Sequence, residues 1–510
     1  MIILGLYFGH NAAACVLKDG EVLINWELER FTRIKHDFGF SQEFIDKTLE
    51  HCGLTMNDVD HIACNNPGTI TRWIEQHMPE RKLNFKVPSA KTLEYKKFDR
   101  GYIVNHHLAH AASTYYTSPF DTATIFTWDG GGDSENSSVS QGVGNKIEQY
   151  KPDARKNLAA YWSSITINNY RMKRVHAWDP GSGAGKVMGL ASYGNANKNL
   201  IEKIERTLSE APRHEYYDPR ARAYNNCEDL SDTKTSNSQN VAASLQSLTT
   251  RTLLTEIKNI YTGNQNLCYA GGLALNCIAN REIIKQTKFE KLHVPPFPND
   301  TGLAIGCALY IWHHVLDNPK KTSYFSPYTG PDYNVGQPDI ERVGNLLADN
   351  KVICYYEGRS ESGPRALGHR SILCNPGIDG IRDRLNYKVK MREWYRPYAP
   401  IIPEENAKEM LLDYNEWSPY MQTSAIVKHE YDEALSGVTQ VDGSTRAQIL
   451  KHDHNETLYN IIQQSKLPAL LNTSFNYQEP IVETPEQAKA TFDRMNDVDV
   501  LVIGDKIYER

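Results

Sequence analysis

Short strand-like runs that end in glycine, aspartate or proline and alternate with amphipathic helical stretches constrain this chain more than any other feature of its sequence. The runs IILGLYFG, ACVLKDGEVLINW, TATIFTWDG, NLCYAGG and KLHVPP are apolar and β-prone, and Asp19-Gly20 in the second is a hairpin-turn pair. Between them, SQEFIDKTLEHCG and VAASLQSLTTRTLLTEIKNIY carry apolar residues at helical spacing. The pattern predicts a mixed α/β unit over residues 1–325. Residues 326–345 are rich in Pro, Gly, Ser and Tyr without either periodicity and read as a linker, and a second α/β unit follows over 346–510. Residues 205–240 are polar enough to be read as a mobile loop region.

A length of 510 residues suffices for two or three domains with their own cores. The formal net charge of -6 argues against a strongly basic nucleic-acid scaffold. One local basic segment remains, with Arg81, Lys82, Lys86, Lys91, Lys96, Lys97 and Arg100 outnumbering Glu80, Glu94 and Asp99; a solvated face is its simplest reading. The N-terminus enters a strand directly, without a basic leader or a span of membrane length, so a cytoplasmic protein is expected. Nine cysteines without any CxxC pair fit reduced thiols rather than a disulfide frame or a zinc ribbon.

Of the six arginines between Glu361 and Pro400, five stand out: Arg365 and Arg370 in GPRALGHRS, Arg382 and Arg384 in IRDRLN, and Arg396 in YRPYAP. Pro364 and Pro397 stiffen the backbone beside two of them, which favours a built anion site over a set of surface ion pairs. In NHHLAHAAS, His106 and His110 are four apart and share one face of a helix, as two metal ligands or as a structural pair. TWDGGGDS ends a strand in Asp129, with Gly130 and Gly131 free to approach phosphate or to form a tight hairpin. Gly271 and Gly272 in YAGGLALN allow either close approach of a nucleoside or a plain strand-to-helix turn. Asp300 in PFPNDTGLAIG is a helix N-cap or a further metal ligand. GSGAGKVMG is one residue short of a P-loop and has Val187 where Ser or Thr is required, so Lys186 would meet phosphate in another geometry.

In order along the chain, GHNAAACVLKDG, ERFTRIKH, HHLAHAAS, WDGGG, GKVMGLASYG, AGGLALNC, NDTGLAIG, SGPRALGHRSIL, MREWYRPYAP, VDGSTRAQ, LLNTSFN and EPIVETPEQA resemble the O-carbamoyltransferases of the NodU/CmcH type. The resemblance runs nearly end to end. It implies an actin-like (ASKHA) N-terminal domain of two ribonuclease-H-like lobes, similar to the ATPase that makes threonylcarbamoyl-adenosine in tRNA, and a YrdC-like α/β C-terminal domain. Family members take the carbamoyl group from carbamoyl phosphate, activate it with ATP as carbamoyl-adenylate, and transfer it to an acceptor hydroxyl.

The family pattern gives anion binding and adenylation to Lys35, Arg365, Arg396, Arg446 and Ser474, with Asn472 and Asn476 beside the carbamoyl amide. It gives a metal to His106, His110 and Asp300, with Asp129 as a further ligand. Two imidazoles plus carboxylate suit iron, manganese or zinc better than magnesium. His10, in FGHN after the first strand, matches a family histidine and is the expected base for the acceptor hydroxyl, against a turn-stabilising role.

Two departures stand out: His10-Asn11-Ala12-Ala13 where the family reads HDAS, and Gly368-His369-Arg370-Ser371 where it reads GNRS. The first weakens a carboxylate's role near the acceptor and favours a neutral hydroxymethyl or sugar hydroxyl over a polycationic acceptor. A natural product, a sugar, or a hydroxymethylated pyrimidine, free or in DNA, all fit the chemistry, and a homodimer is compatible with it. A tRNA-threonylcarbamoylation-type enzyme, a stand-alone actin-like ATPase and a non-catalytic binding module are the alternatives.

Overall fold

The computed structural model describes residues 1–68, 74, 76–78, 81, 83–90, 92–153, 155–173, 183–210, 228–416 and 418–510. The chain divides into two units, Met1–Phe325 and Ser326–Arg510.

In the first unit, the opening apolar run forms β1 (Ile2–Tyr7), buried along its whole length, as an apolar run covered on both faces requires. The Asp19-Gly20 turn joins β2 (Ala13–Lys18) to β3 (Glu21–Glu27). With β4 (His61–Asn65), β5 (Tyr95–Phe98) and β6 (Gly101–Val104) they form one sheet, ordered β3-β2-β1-β4-β6-β5. A second sheet holds β7 (Thr122–Gly132), β8 (Glu135–Val143), β9 (Lys146–Asp153), β10 (Asn266–Ala270) and β11 (Lys291–His293), ordered β11-β10-β7-β8-β9.

The two sheets repeat one topology. In each, the second strand is antiparallel to its neighbours and the first pairs in parallel with a later strand: β1 with β4 and β6 beyond it, β7 with β10 and β11 beyond it. This duplication is that of the two ribonuclease-H-like lobes expected for an actin-like domain. Helix Leu303–Tyr310 packs on β1 and on helix His106–Tyr116 at backbone distance: a Cβ at Gly306 would lie 2.0 Å from Ala109 O, and one at Gly5 2.2 Å from Ala304 O. Glycine is required at both contacts because any side chain would push the backbones apart.

The second unit carries a seven-stranded mixed sheet of β12 (Ile353–Tyr356), β13 (Arg370–Cys374), β14 (Ala399–Pro403), β17 (Gln448–Leu450), β18 (Leu470–Ser474), β19 (Val500–Ile503) and β20 (Lys506–Glu509). β15 (Ala425–Ile426) and β16 (Ser444–Thr445) pair separately. Alternate residues of β12 and β13 feed two apolar clusters, Cys354 and Ile372 in one and Ile353 and Leu373 in the other, so both faces of the sheet are covered. The stretch read as a linker lies within this unit: Thr329 bonds Ser362 through their hydroxyls at 2.6 Å, and helix Ile340–Ala348 starts inside it. Of residues 205–240, read as a loop, 205–210 and 236–240 are helical, the first with Leu208 buried and the second begun by Thr235, whose side chain accepts from Ser238 N, and 211–227 lie outside the described residues.

Among the described residues no disulfide forms, and no helix is long and apolar enough to cross a membrane.

A candidate metal centre and a candidate anion site

Asn105 follows β6, and its Oδ1 accepts from His107 N at 2.9 Å and Leu108 N at 3.2 Å, so the helix starts at His106. His106 and His110 then sit one turn apart with ring centroids 4.8 Å from each other. β7 delivers Asp129, and the short turn Asp300–Gly302 delivers Asp300. One ligand atom from each of these four buried residues lies within 4.8 Å of all the others. The closest approaches are His110 Nε2 to Asp300 Oδ1 at 3.3 Å and His106 Nε2 to Asp129 Oδ2 at 3.5 Å.

Among the described residues, His106 Nε2 and both ring nitrogens of His110 are buried without a hydrogen-bond partner. Buried polar atoms are nearly always satisfied, so unpartnered imidazole nitrogens converging with two carboxylates fit a bound cation. Asp300 does not act as a cap, since neither its own turn nor helix Leu303–Tyr310 has a side-chain cap. In the metal-free protein burial disfavours charged His106, but Asp129, Asp300 and Asp133 outweigh it and raise the group to about 9.

The surrounding groups orient these side chains. Gly272 N–H donates to Asp129 Oδ1 at 2.6 Å, so that amide serves the carboxylate. Gly271, at φ +96°, allows the close pass, since its Cβ would lie 2.3 Å from Trp128 O. Asp133 accepts from His106 N at 2.9 Å at the turn joining β7 to β8, where Asp133 and Ser134 both have positive φ. Gly132 leaves room for the His106 ring, which a Cβ would approach to 2.2 Å. The WDGGG segment is thus a hairpin as well as a ligand carrier: Gly130 O accepts from Asn157 Nδ2 at 2.8 Å, and Gly131 lies beside Asp129. Between the two histidines, His107 Nδ1 lies 3.2 Å from Thr127 Oγ1, and burial pushes this imidazole down to about 3.

His10 lies at the same cluster, its Nε2 3.3 Å from Asp300 Oδ2. The Tyr7 hydroxyl donates to that same oxygen, a contact the sequence did not single out. Asn11, at φ +65°, bridges two imidazoles: its Oδ1 is 3.1 Å from His10 Nδ1 and its Nδ2 2.8 Å from His36 Nδ1. The departure from HDAS therefore places an amide where it can both accept and donate. Lys35 is half-buried in the loop between Arg33 and His36, both left-handed. Lys186 lies on helix Ala184–Leu190, away from any P-loop turn; positions 181 and 182 of GSGAGKVMG are outside the described residues.

In the basic segment 81–100, Lys86, Lys96, Lys97 and Arg100 are exposed. Arg81 is bound to both oxygens of Asp37 at 2.9 Å, while Lys82 and Lys91 lie outside the described residues.

In the second unit the five arginines separate. Arg370 is fully buried, donates to Glu357 O at 2.6 Å and Gly358 O at 2.9 Å, and lies over the Tyr356 ring. Arg382 donates to Ser436 O and Thr439 O, and Arg384 to Asp497 O. These three tie the fold together. Arg365 is half-buried in its loop, and Arg396 is one-third exposed (34%), with Glu393 at 3.6 Å as its ion pair among the described residues.

The register gathers the remaining groups at one end of the sheet. β13, β14 and β17 run parallel and begin just after Arg365, Arg396 and Arg446, and antiparallel β18 ends there at Ser474, opposite Ser371. Asn472 Nδ2 donates to Ala366 O at 3.0 Å, which lays the Arg365 loop over β18; among the described residues its buried Oδ1 has no hydrogen-bond partner, nor does Arg446 Nε.

Two groups here escaped the sequence. Glu361 Oε1 accepts from Leu367 N at 2.7 Å, His369 N at 2.8 Å and Arg370 N at 3.2 Å, shaping the GPRALGHR loop. Lys390, buried, donates to Ser474 O at 2.6 Å and Asn476 O at 2.8 Å, and also holds Asn476 Oδ1. Asn476 Nδ2 donates to Glu479 O at 2.6 Å, so both ends of that amide are engaged. A glutamate before the glycines and a lysine near the arginines were the available signals. His369, the second departure, is structural: Nδ1 lies 2.7 Å from Arg359 O, Nε2 3.0 Å from Asn455 Nδ2, and the ring stacks on Tyr328.

A duplicated actin-like domain with a buried His/Asp cluster, followed by an arginine-bearing α/β domain, marks a group-transfer enzyme. The chain belongs to the carbamoyltransferase family: residues 2–309 match the family described as Carbamoyltransferase N-terminus, and residues 344–510 match Carbamoyltransferase C-terminus. It is 31% identical to nodulation protein NolNO of Sinorhizobium fredii, over 99% of this chain and 79% of that protein. It is also 28% identical to nodulation protein U of the same species, with 94% of each covered. Among solved structures, the activator of 2-hydroxyisocaproyl-CoA dehydratase from Clostridium difficile with bound ADPNP aligns at a TM-score of 0.36 and 16% identity, covering 61% of this chain and 94% of that one. HypF of T. kodakarensis aligns at 0.34 and 14% identity, covering 62% and 48%.

Proposed function

We propose that this carbamoyltransferase uses carbamoyl phosphate and ATP to carbamoylate a neutral hydroxyl or hydroxymethyl acceptor. The observation that supports it best is the set of unpartnered imidazole nitrogens at His106 and His110, beside Asp129 and Asp300, with His10 at the rim.

Adenylation belongs to the C-terminal domain, which the family resemblance makes YrdC-like. Carbamoyl phosphate and one water yield carbamate and phosphate. A carbamate oxygen attacks the α-phosphorus of ATP, forming carbamoyl-adenylate and expelling pyrophosphate. Charge concentrates on the phosphate oxygens during this step, and Arg365, Arg396 and Arg446 stabilise it as fixed cations. Asn472, whose Oδ1 is unpartnered, accepts from the carbamoyl amide, and the Ser474 hydroxyl hydrogen-bonds the adenylate.

Transfer belongs to the actin-like domain. His10 removes the acceptor's hydroxyl proton as that oxygen attacks the carbamoyl carbon, and AMP departs with the bridging oxygen. Asn11 Oδ1, accepting from His10 Nδ1, leaves the Nε2 lone pair for this proton. His106, His110, Asp129 and Asp300 would hold a divalent metal, iron, manganese or zinc by donor type, which when bound polarises the adenylate phosphate and makes AMP a better leaving group. Gly130, Gly131, Gly271, Gly272 and Lys186 line the loops and helix assigned to the nucleotide.

Mass spectrometry on a panel of hydroxylated acceptors, including sugars and hydroxymethylated pyrimidines free and in DNA, tests the proposal. A gain of one carbamoyl group that requires both ATP and carbamoyl phosphate supports it, and transfer without ATP counts against it.

A further inference from the structure

Among the described residues, the ion pair of Arg396 is a loose one, to Glu393 at 3.6 Å, and a third of the arginine side chain is exposed. Something else must fix its direction. The loop that carries it, residues 390–398, closes over Asn386, a fully buried residue in the wide π-helical turn Arg384–Val389. Asn386 Nδ2 donates to Trp394 O at 3.2 Å and to Arg396 O at 3.3 Å. Its Oδ1 accepts from Arg392 Nε at 2.7 Å and from the Tyr398 hydroxyl at 2.8 Å. Its backbone carbonyl accepts from Arg392 N at 2.9 Å.

One primary amide offers two donor hydrogens and an oxygen with two lone pairs, and here the loop uses all four. The Arg396 carbonyl is one of the partners, so the peptide plane beside the substrate-facing guanidinium is set from inside the domain. The Arg392 guanidinium, stacked 4.3 Å over Tyr398, completes the frame. We propose that Asn386 is the positioning residue for Arg396: its side-chain amide pre-forms the cation site for the ATP phosphates before substrate arrives. This rests on the adenylation reading, in which Arg396 binds phosphate. Asparagine is specified because aspartate would turn two donors toward carbonyl oxygens into acceptors, whereas alanine would remove all four bonds.

A double-mutant cycle on ATP binding tests it, using the full-length chain and calorimetry. Asn386→Asp is expected to weaken ATP binding about tenfold in the natural background and less than about twofold in an Arg396→Ala background. Equal losses in both backgrounds would overturn the proposal, because a merely structural defect would act regardless of Arg396. Hydrogen exchange provides a readout independent of chemistry. Amides 391–398 should exchange faster in Asn386→Asp while β14 and β18 stay protected, and unchanged exchange in that loop would also overturn it. Asn386→Ser, which keeps a hydroxyl and leaves room for water, serves the same cycle if the aspartate variant does not fold. If the natural chain binds ATP but releases no pyrophosphate with carbamoyl phosphate, the adenylation reading fails while the cycle still decides the role of Asn386.

Discussion

His10 Nε2 and Asp300 Oδ2 stand 3.3 Å apart, which ties the residue expected to take the acceptor proton to one expected to hold metal. His10→Gln keeps a polar side chain but cannot accept that proton at Nε2. Carbamoyl transfer should fall by roughly 10²-fold or more, with pyrophosphate release unchanged. Coupled assays of the two steps on one preparation check this, and equal losses in both would remove His10 from the transfer step.

The metal reading makes a stoichiometric prediction. The natural chain should carry about one divalent ion, and His110→Ala or Asp300→Asn should lose most of it, as read by elemental analysis of the purified proteins. Chelation should stop transfer and spare carbamoyl-phosphate-dependent pyrophosphate release. A cluster that binds no transition metal at any of these positions would contradict the assignment.

Gly132→Ala tests the same centre through packing. Its Cβ would lie 2.2 Å from the His106 ring, so the imidazole must move. The variant should fold, with stability lowered by about 1–3 kcal/mol in urea titration, and should bind metal at least several-fold more weakly. Full metal affinity would mean the ring has room that the structure does not give it.

Glu361 holds the Arg365 loop through three backbone N–H groups, so Glu361→Ala leaves three donors to compete for water in a buried place. A stability loss of about 2–4 kcal/mol is expected, together with loss of pyrophosphate release, and Glu361→Gln, which retains an acceptor oxygen, should lose less of both. Denaturant titration and the pyrophosphate assay on the two variants decide it.

Much of the fold was legible in the sequence. Ile2–Tyr7, Thr122–Gly132 and Asn266–Ala270 announce themselves because apolar strands bounded by glycine or aspartate have few alternatives, and His106/His110 share a helical face by spacing alone. The duplication of the lobes came from the family resemblance and not from the strand pattern, since it resides in strand pairing between segments far apart in the chain. Arginine composition could not separate Arg370, which is buried against carbonyls, from Arg365 and Arg396. The family resemblance made that separation, and the hydrogen bonds of Arg370, Arg382 and Arg384 give its physical reason. Glu361, Lys390 and Asn386 were missed because each acts on backbone atoms of loops that spacing does not reveal.

Two buried histidines outside the site set the acid limit of stability. Burial lowers His293 to about 3 and His313 to about 4. The unfolded chain binds protons near the ordinary value of about 6.5 while the folded chain does not, so stability is lost as pH falls from about 6.5 toward 4. His293→Gln, which keeps a polar partner for Thr117, should flatten this loss in denaturant titrations at pH 7 and pH 5. An unchanged slope would show that other groups control the acid limb.

Carbamoyl phosphate and ATP are expected to meet as carbamoyl-adenylate on this chain. Nucleotide products formed from ATP with and without carbamoyl phosphate test it most directly. AMP and pyrophosphate that appear only when carbamoyl phosphate is present, and vanish in Arg396→Ala, are the predicted result; ADP as the sole nucleotide product would contradict it.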